Sequence, residues 1–148
     1  MPRNQPSSAS GHNLCRCIFL RYSVMLNSDT PQTFATAVNC MDGRVQTSVM
    51  VFAKARFGVD YVDMVTEAGA VANINEGVRR HVEISVQAHS SKGIVVAAHA
   101  DCAGNPISDD EQKEQCREAA RILKSDWPEM EVISIWEPLD GRLEILEY

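Results

Sequence analysis

The sequence predicts an α/β fold: a mainly parallel central sheet flanked by helices, with a C-terminal antiparallel hairpin strand. Three observations predict it. From Thr33 onward, short apolar runs alternate with longer segments whose apolar residues recur at helical spacing. One run, residues 94–98, is apolar on both faces, which suits an interior strand covered by helices on each side. After the last strand-like run, Pro138-Leu139-Asp140-Gly141 signals a turn that lets the chain double back.

Residues 34–39 read as a first strand. Residues 46–57 read as a helix, stopped by Gly58. Residues 61–65 form a second strand, and 66–75 a loop rich in Gly and Ala. The spacing of Val78, Val82 and Val86 predicts a helix over 76–91, with Gly93 following its end. The third strand is 94–98. Ser108 and Glu111 form a capping-box pattern that opens a helix to about Lys124, and the acids Asp109, Asp110 and Glu111 suit its positive N-terminal end. Residues 132–136 are a fourth strand, and 142–146 return antiparallel to it. Residues 1–13 are polar and rich in Pro, Ser and Gly, and no repeat is visible. Residues 1–32 are therefore expected to be an N-terminal tail or appendage, partly disordered, and 33–148 the folded domain.

Composition limits the partners. The chain has 148 residues, 45% of them apolar, enough for one core. A net charge of -6, with Lys and Arg scattered, argues against nucleic acid and anionic membranes, which both call for a basic patch. No run reaches the roughly 18 apolar residues of a membrane span, and no secretory leader is evident. The expected compartment is cytoplasmic. Five cysteines, an odd number, then favour metal or catalytic use over a disulfide framework.

Two short segments carry the chemistry. Cys40-Met41-Asp42-Gly43-Arg44 follows the first strand, and His99-Ala100-Asp101-Cys102 follows the third. Both lie at the C-terminal ends of parallel strands, where open α/β sheets bind ligands. If those strands are neighbours, Cys40 and the His99/Cys102 pair can face one point. Two thiolates and an imidazole suit zinc, and three strong ligands leave a fourth position to water or to Asp42. On an extended segment residues 40, 42 and 44 project to the same side, so Arg44 could hold the Asp42 carboxylate bidentately. So held, Asp42 could orient a zinc-activated water. It could instead swing onto zinc and close the site, or be a structural ion pair.

Other candidates are weaker. Cys15 and Cys17 have no nearby partner for a second metal site, and Cys116 falls inside a helix as core. His81 and His89 lie eight residues apart on one helix, too far to share a metal, and His12 lies in the tail. Cys40 and Arg44 are too close in sequence for a cysteine-phosphatase loop, and 68–72 lacks a nucleotide-loop pattern.

The two-part pattern, C-x-D-x-R and then H-x-x-C about sixty residues on, resembles the zinc-ligand pattern of the β-carbonic anhydrases. Asp63-Met64-Val65-Thr66-Glu67-Ala68-Gly69-Ala70 resembles the family's strand and loop ending in Arg-Asn-Ala-Gly, with Thr66-Glu67 in place of Arg-Asn. The helix over 76–91 and the strand after it resemble those that deliver the histidine, and 136–146 its closing hairpin. The resemblance spans about residues 34–146. It implies one Zn²⁺ per chain on Cys40, His99 and Cys102. It implies reversible hydration of carbon dioxide to bicarbonate by zinc-bound hydroxide, with Asp42 orienting the hydroxide and Arg44 holding Asp42. A homodimer or higher homo-oligomer is also implied, although the family's N-terminal helices are missing or replaced by residues 1–32. Two readings compete: a related zinc hydrolase of carbonyl sulfide or carbon disulfide, and a non-catalytic zinc-stabilised domain closed by Asp42.

Overall fold

The computed structural model describes residues 31–148. The predicted tail, apart from Pro31 and Gln32, lies outside them, as do His12, Cys15 and Cys17.

Strand β1 (Phe34–Cys40) leads through helix α1 (Gly43–Phe57) to β2 (Tyr61–Glu67). A short 3₁₀ turn at Ala70–Ala72 precedes α2 (Glu76–Ala88), then β3 (Gly93–His99), α3 (Asp109–Asp126), β4 (Glu131–Glu137) and β5 (Glu144–Leu146). The strand order is β2-β1-β3-β4-β5; the first four run parallel and β5 antiparallel to β4. The predicted α/β architecture is the observed one.

The two faces of the sheet explain the apolar patterns. Val45, Val49 and Ala53 of α1 pack on Ala37, Val95, Ala97, Ile133 and Ile135. On the opposite face Val78 and Val82 of α2, with Cys116, Ala119, Ala120 and Leu123 of α3, cover Val38, Ile94, Val96 and Val132. Strand β3 is buried along its whole length because helices lie on both sides of it. Cys116 is core, as its position predicts; it donates to the carbonyls of Val96 and Ile135.

The chain leaves β1 for one side of the sheet, and β3 is inserted on the other side of β1. The helix after β1 and the helix after β3 cover opposite faces. The crevice between the C-terminal ends of β1 and β3 is thus the topological switch point.

Element ends depart from the sequence reading by a few residues. Helix α1 begins at Gly43, not residue 46, because the Asp42 side chain caps it by accepting the Arg44 N–H at 2.9 Å. Strand β2 continues through Thr66 and Glu67, which pair with Asn39 and Cys40. Helix α2 ends at Ala88 because Ser90 turns left-handed (φ 52°) and the N–H groups of His89 and Ser91 both close on the Ser85 carbonyl. Gly93 then starts β3: a Cβ there would overlap the Phe57 ring. The Ser108/Glu111 capping box forms as expected. Strand β5 is shortened to Glu144 because Arg142 is drawn into the turn by Asp140.

Candidate metal centre

Cys40 ends β1, His99 ends β3, and Cys102 lies three residues further on. Because β1 and β3 are hydrogen-bonded neighbours, the three side chains meet. Their donor atoms all lie within 4.8 Å of one another, and all three residues are buried. Among the described residues no other trio of His, Cys, Asp or Glu side chains clusters so closely.

The imidazole of His99 is 2% exposed, and its Nδ1 lies 2.8 Å from the Ala100 carbonyl oxygen. A carbonyl only accepts, so that contact assigns the proton to Nδ1 and leaves a lone pair on Nε2. Nε2 is buried and has no hydrogen-bond partner among the described residues, a costly state for a polar atom that nothing compensates. The sulfurs of Cys40 and Cys102 are 3.7 Å apart. Two sulfurs on one tetrahedral zinc, each at about 2.3 Å, would be about 3.8 Å apart. The orphaned nitrogen, the sulfur spacing and the soft donor set all fit zinc.

The thiols are tuned in opposite directions. Burial works to raise Cys40, but hydrogen bonding, led by the Gly69 N–H at 3.4 Å, outweighs it and leaves it below the ordinary thiol value. Cys102 is pushed up, first by burial and then by Cys40 beside it. Cys40 is the first of the pair to become a thiolate.

The predicted Asp42–Arg44 pair is present, but a helix start brings it about, not an extended segment. Asp42 is the N-cap of α1, and Arg44 lies in the first turn. Arg44 Nε lies 3.1 and 3.0 Å from the two carboxylate oxygens, and a terminal nitrogen 2.6 Å from Oδ2. These side-chain bonds, then the Arg44 backbone N–H, hold the Asp42 carboxyl at about 2. Asp42 is therefore ionised and acceptor-only, and it stands outside the Cys40–His99–Cys102 cluster.

Three features here are invisible to sequence reasoning. Asp101, to which the sequence assigned no role, holds the far side of Arg44: its carboxylate accepts from one terminal nitrogen at 3.0 Å and its carbonyl from the other at 3.1 Å. Gly69, left-handed at φ 64°, brings its N–H to Cys40 and its Cα against the Gly104 backbone. Buried Asn39 and half-buried Gln46 both donate to the Cys40 carbonyl at 2.7 Å. The positive φ values and the close approach leave no periodic trace.

His81 and His89 stay apart from this centre. They line a separate cavity of about 390 Å³ between β2 and α2, where His89 stacks on Phe34 and its Nδ1 meets Asp63 at 2.7 Å.

A switch-point crevice holding two thiols, an orphaned imidazole nitrogen and a carboxylate–guanidinium pair defines a class of metal-site α/β proteins, and comparison with known families agrees. Residues 30–147 match the family model described as "Putative carbonic anhydrase", and the chain belongs to that family. A search of curated proteins finds no match. Among solved structures, the fold resembles the carbonic anhydrase of Streptococcus mutans at 21% identity, covering 80% of this chain and 84% of that one, with a TM-score of 0.60. It also resembles β-carbonic anhydrase isoform I of Trichomonas vaginalis: 14% identity, 82% and 85% covered, TM-score 0.58. A tetrameric β-carbonic anhydrase of Sordaria macrospora is similar at 13% identity, 79% and 82% covered, TM-score 0.58. The chain is a short, divergent member with the β-carbonic anhydrase fold.

Proposed function

We propose that this protein hydrates carbon dioxide reversibly to bicarbonate, using one zinc per chain held by Cys40, His99 and Cys102. The observation that carries the reading is the orphaned Nε2 of His99, buried beside two sulfurs at zinc-ligand spacing. Zinc, when bound, supplies Lewis acidity that brings the pKa of a water molecule toward neutrality. The protein's own groups do the rest. The Ala100 carbonyl fixes the His99 tautomer, so the lone pair points inward. Arg44 keeps Asp42 ionised and fixes its orientation. Asp42 can then accept a hydrogen bond from the hydroxide left when that water gives its proton to solvent, so that a hydroxide lone pair faces the carbon of carbon dioxide. Arg44 also supplies the positive charge that suits a departing bicarbonate.

The grip of Arg44 on Asp42 also supports an open site over one closed by the Asp42 carboxylate. Two thiolate ligands call for a reducing compartment, in keeping with a cytoplasmic protein. The likeness to a tetrameric relative supports a homo-oligomer.

Stopped-flow carbon dioxide hydration with metal analysis, on wild type and Asp42→Asn, tests the proposal. Asn keeps the helix cap but not the charge. The expected result is about one zinc per chain in both proteins and a loss of roughly a hundredfold or more in the variant. A wild type that carries zinc and hydrates nothing at alkaline pH would overturn the proposal.

A further inference from the structure

We propose that Asp101 is a positioning residue: a latch that keeps Arg44 on Asp42, and so keeps the Asp42 carboxylate off the metal position. The proposal rests on the open zinc site argued above and adds a residue that holds it open.

Arg44 is half-exposed on a long, flexible stem, and the cap segment alone would leave its guanidinium free to turn away. It is instead gripped from two elements. Nε and one terminal nitrogen bind Asp42, next to β1. The other terminal nitrogen binds the Asp101 carboxylate at 3.0 Å, and the Asp101 carbonyl takes a further bond at 3.1 Å. Asp101 belongs to the segment after β3, between His99 and Cys102. The guanidinium thus spans the switch-point crevice and ties together the two segments that bear the three donors.

The backbone pays for this arrangement. Asp101 has φ 52°, one of three non-glycine residues with positive φ in the described chain. Such a conformation persists only where the surroundings over-determine it, and Asp tolerates it better than most residues. Here it turns both the carbonyl and the carboxylate of one residue onto Arg44. The carboxylate is 82% exposed and has no other partner among the described residues, so core packing does not account for its placement. The Asp42 carboxylate rests on Arg44, and the place competing for it would be a cation held beside Cys40. Whatever fixes Arg44 favours the first.

The test uses the Co²⁺-loaded full chain, whose d–d absorption reports the coordination of the ion, with azide as the probe of an exchangeable position. Asp101→Gly suits the left-handed backbone and keeps the 101 carbonyl, so it removes the carboxylate without added strain. Asp101→Asn keeps an acceptor oxygen for Arg44 without the charge. The wild-type spectrum is expected to shift on azide addition. Asp101→Gly is expected to bind azide about tenfold or more weakly, as loss of a hydrogen bond between charged groups predicts, and Asp101→Asn to fall between them. Hydration activity follows the same order. An Asp101→Gly protein that takes up Co²⁺ and binds azide as wild type does overturns the latch and leaves the zinc-enzyme reading intact. A wild type that takes up Co²⁺ and ignores azide overturns the open site, and the latch with it.

Discussion

Replacing Gly69 by alanine should unsettle the centre without touching any donor atom. Gly69 sits at φ 64°, where an L-residue costs about 1–2 kcal/mol. A Cβ there would lie 2.7 Å from the Gly104 carbonyl oxygen and 2.8 Å from the Asn105 Cβ. These are not the ends of flexible side chains, so the 68–70 and 104–105 segments must part, at a further cost of about 1–3 kcal/mol typical of overpacking. The sum is a destabilisation of about 2–5 kcal/mol. At about 2.1 cal/mol/K per residue over a domain of about 120 residues, that lowers the melting temperature by about 8–20 °C. The same movement draws the Gly69 N–H away from Cys40 and shifts Cys102 with its neighbours, so zinc affinity should fall as well. Urea unfolding of the metal-free protein and competitive zinc titration measure the two effects. A metal-free Gly69→Ala protein within about 1 kcal/mol of wild type would refute the close-approach argument.

Thiol labelling should divide the described cysteines by environment. Cys116 is fully buried and its thiol is pushed up to about 12 by burial, so it should stay unmodified in the native fold with or without metal. Cys40 and Cys102 should be protected in the zinc-loaded protein and modified after chelation, Cys40 first; peptide mapping that found Cys116 modified as fast as Cys40 would contradict the assignment. Acid should act through Asp42. Its folded pKa, about 2, lies below the ordinary carboxylate value, so its contribution to stability is complete above about pH 4 and is lost as pH falls toward 2. The stability gap between wild type and Asp42→Asn should therefore narrow over that interval in acid denaturation. A gap of constant size from pH 5 to pH 2 would show that the ion pair does not stabilise the fold.

The fold was legible where a local pattern coincided with a tertiary role. The doubly apolar run at 94–98 suited an interior strand and is one, and Ser108/Glu111 capped a helix as capping boxes do. Misplaced boundaries share a physical cause: each depends on local contacts that have no periodicity. The Asp42 cap extends α1 by a turn that opens with Gly43, a poor helix former. Thr66 and Glu67 join β2 only because β1 offers partners in register. At the site, the donor residues could be picked out because sulfur and imidazole carry distinctive chemistry. Asp101 and Gly69 could not, because what matters in them is a backbone angle and a close approach.

The crevice geometry also bears on how metal and fold depend on each other. A small zinc module that is unordered without its ion spends binding energy on folding. Here two of the three donors end strands that are buried in the sheet itself and the third follows closely, with Val38, Val95, Val96 and Ala97 almost wholly enclosed. Hydrogen bonds to carbonyls and N–H groups, together with the Arg44 bridge, already hold them near zinc-ligand spacing. The ordering cost is met by the core, and metal affinity is left to report how well the two loops are clamped. The charges are arranged to the same end. Two thiolates cancel a divalent cation, so nothing at the metal would repel the Asp42 carboxylate from closing on it. A cation fixed on the far side of that carboxylate is an electrostatic counterweight, and Arg44 occupies that place. Stability of the clamp and openness of the site are therefore one property. Substitutions that loosen the loops should cost metal affinity and azide response together, even where no donor atom is changed.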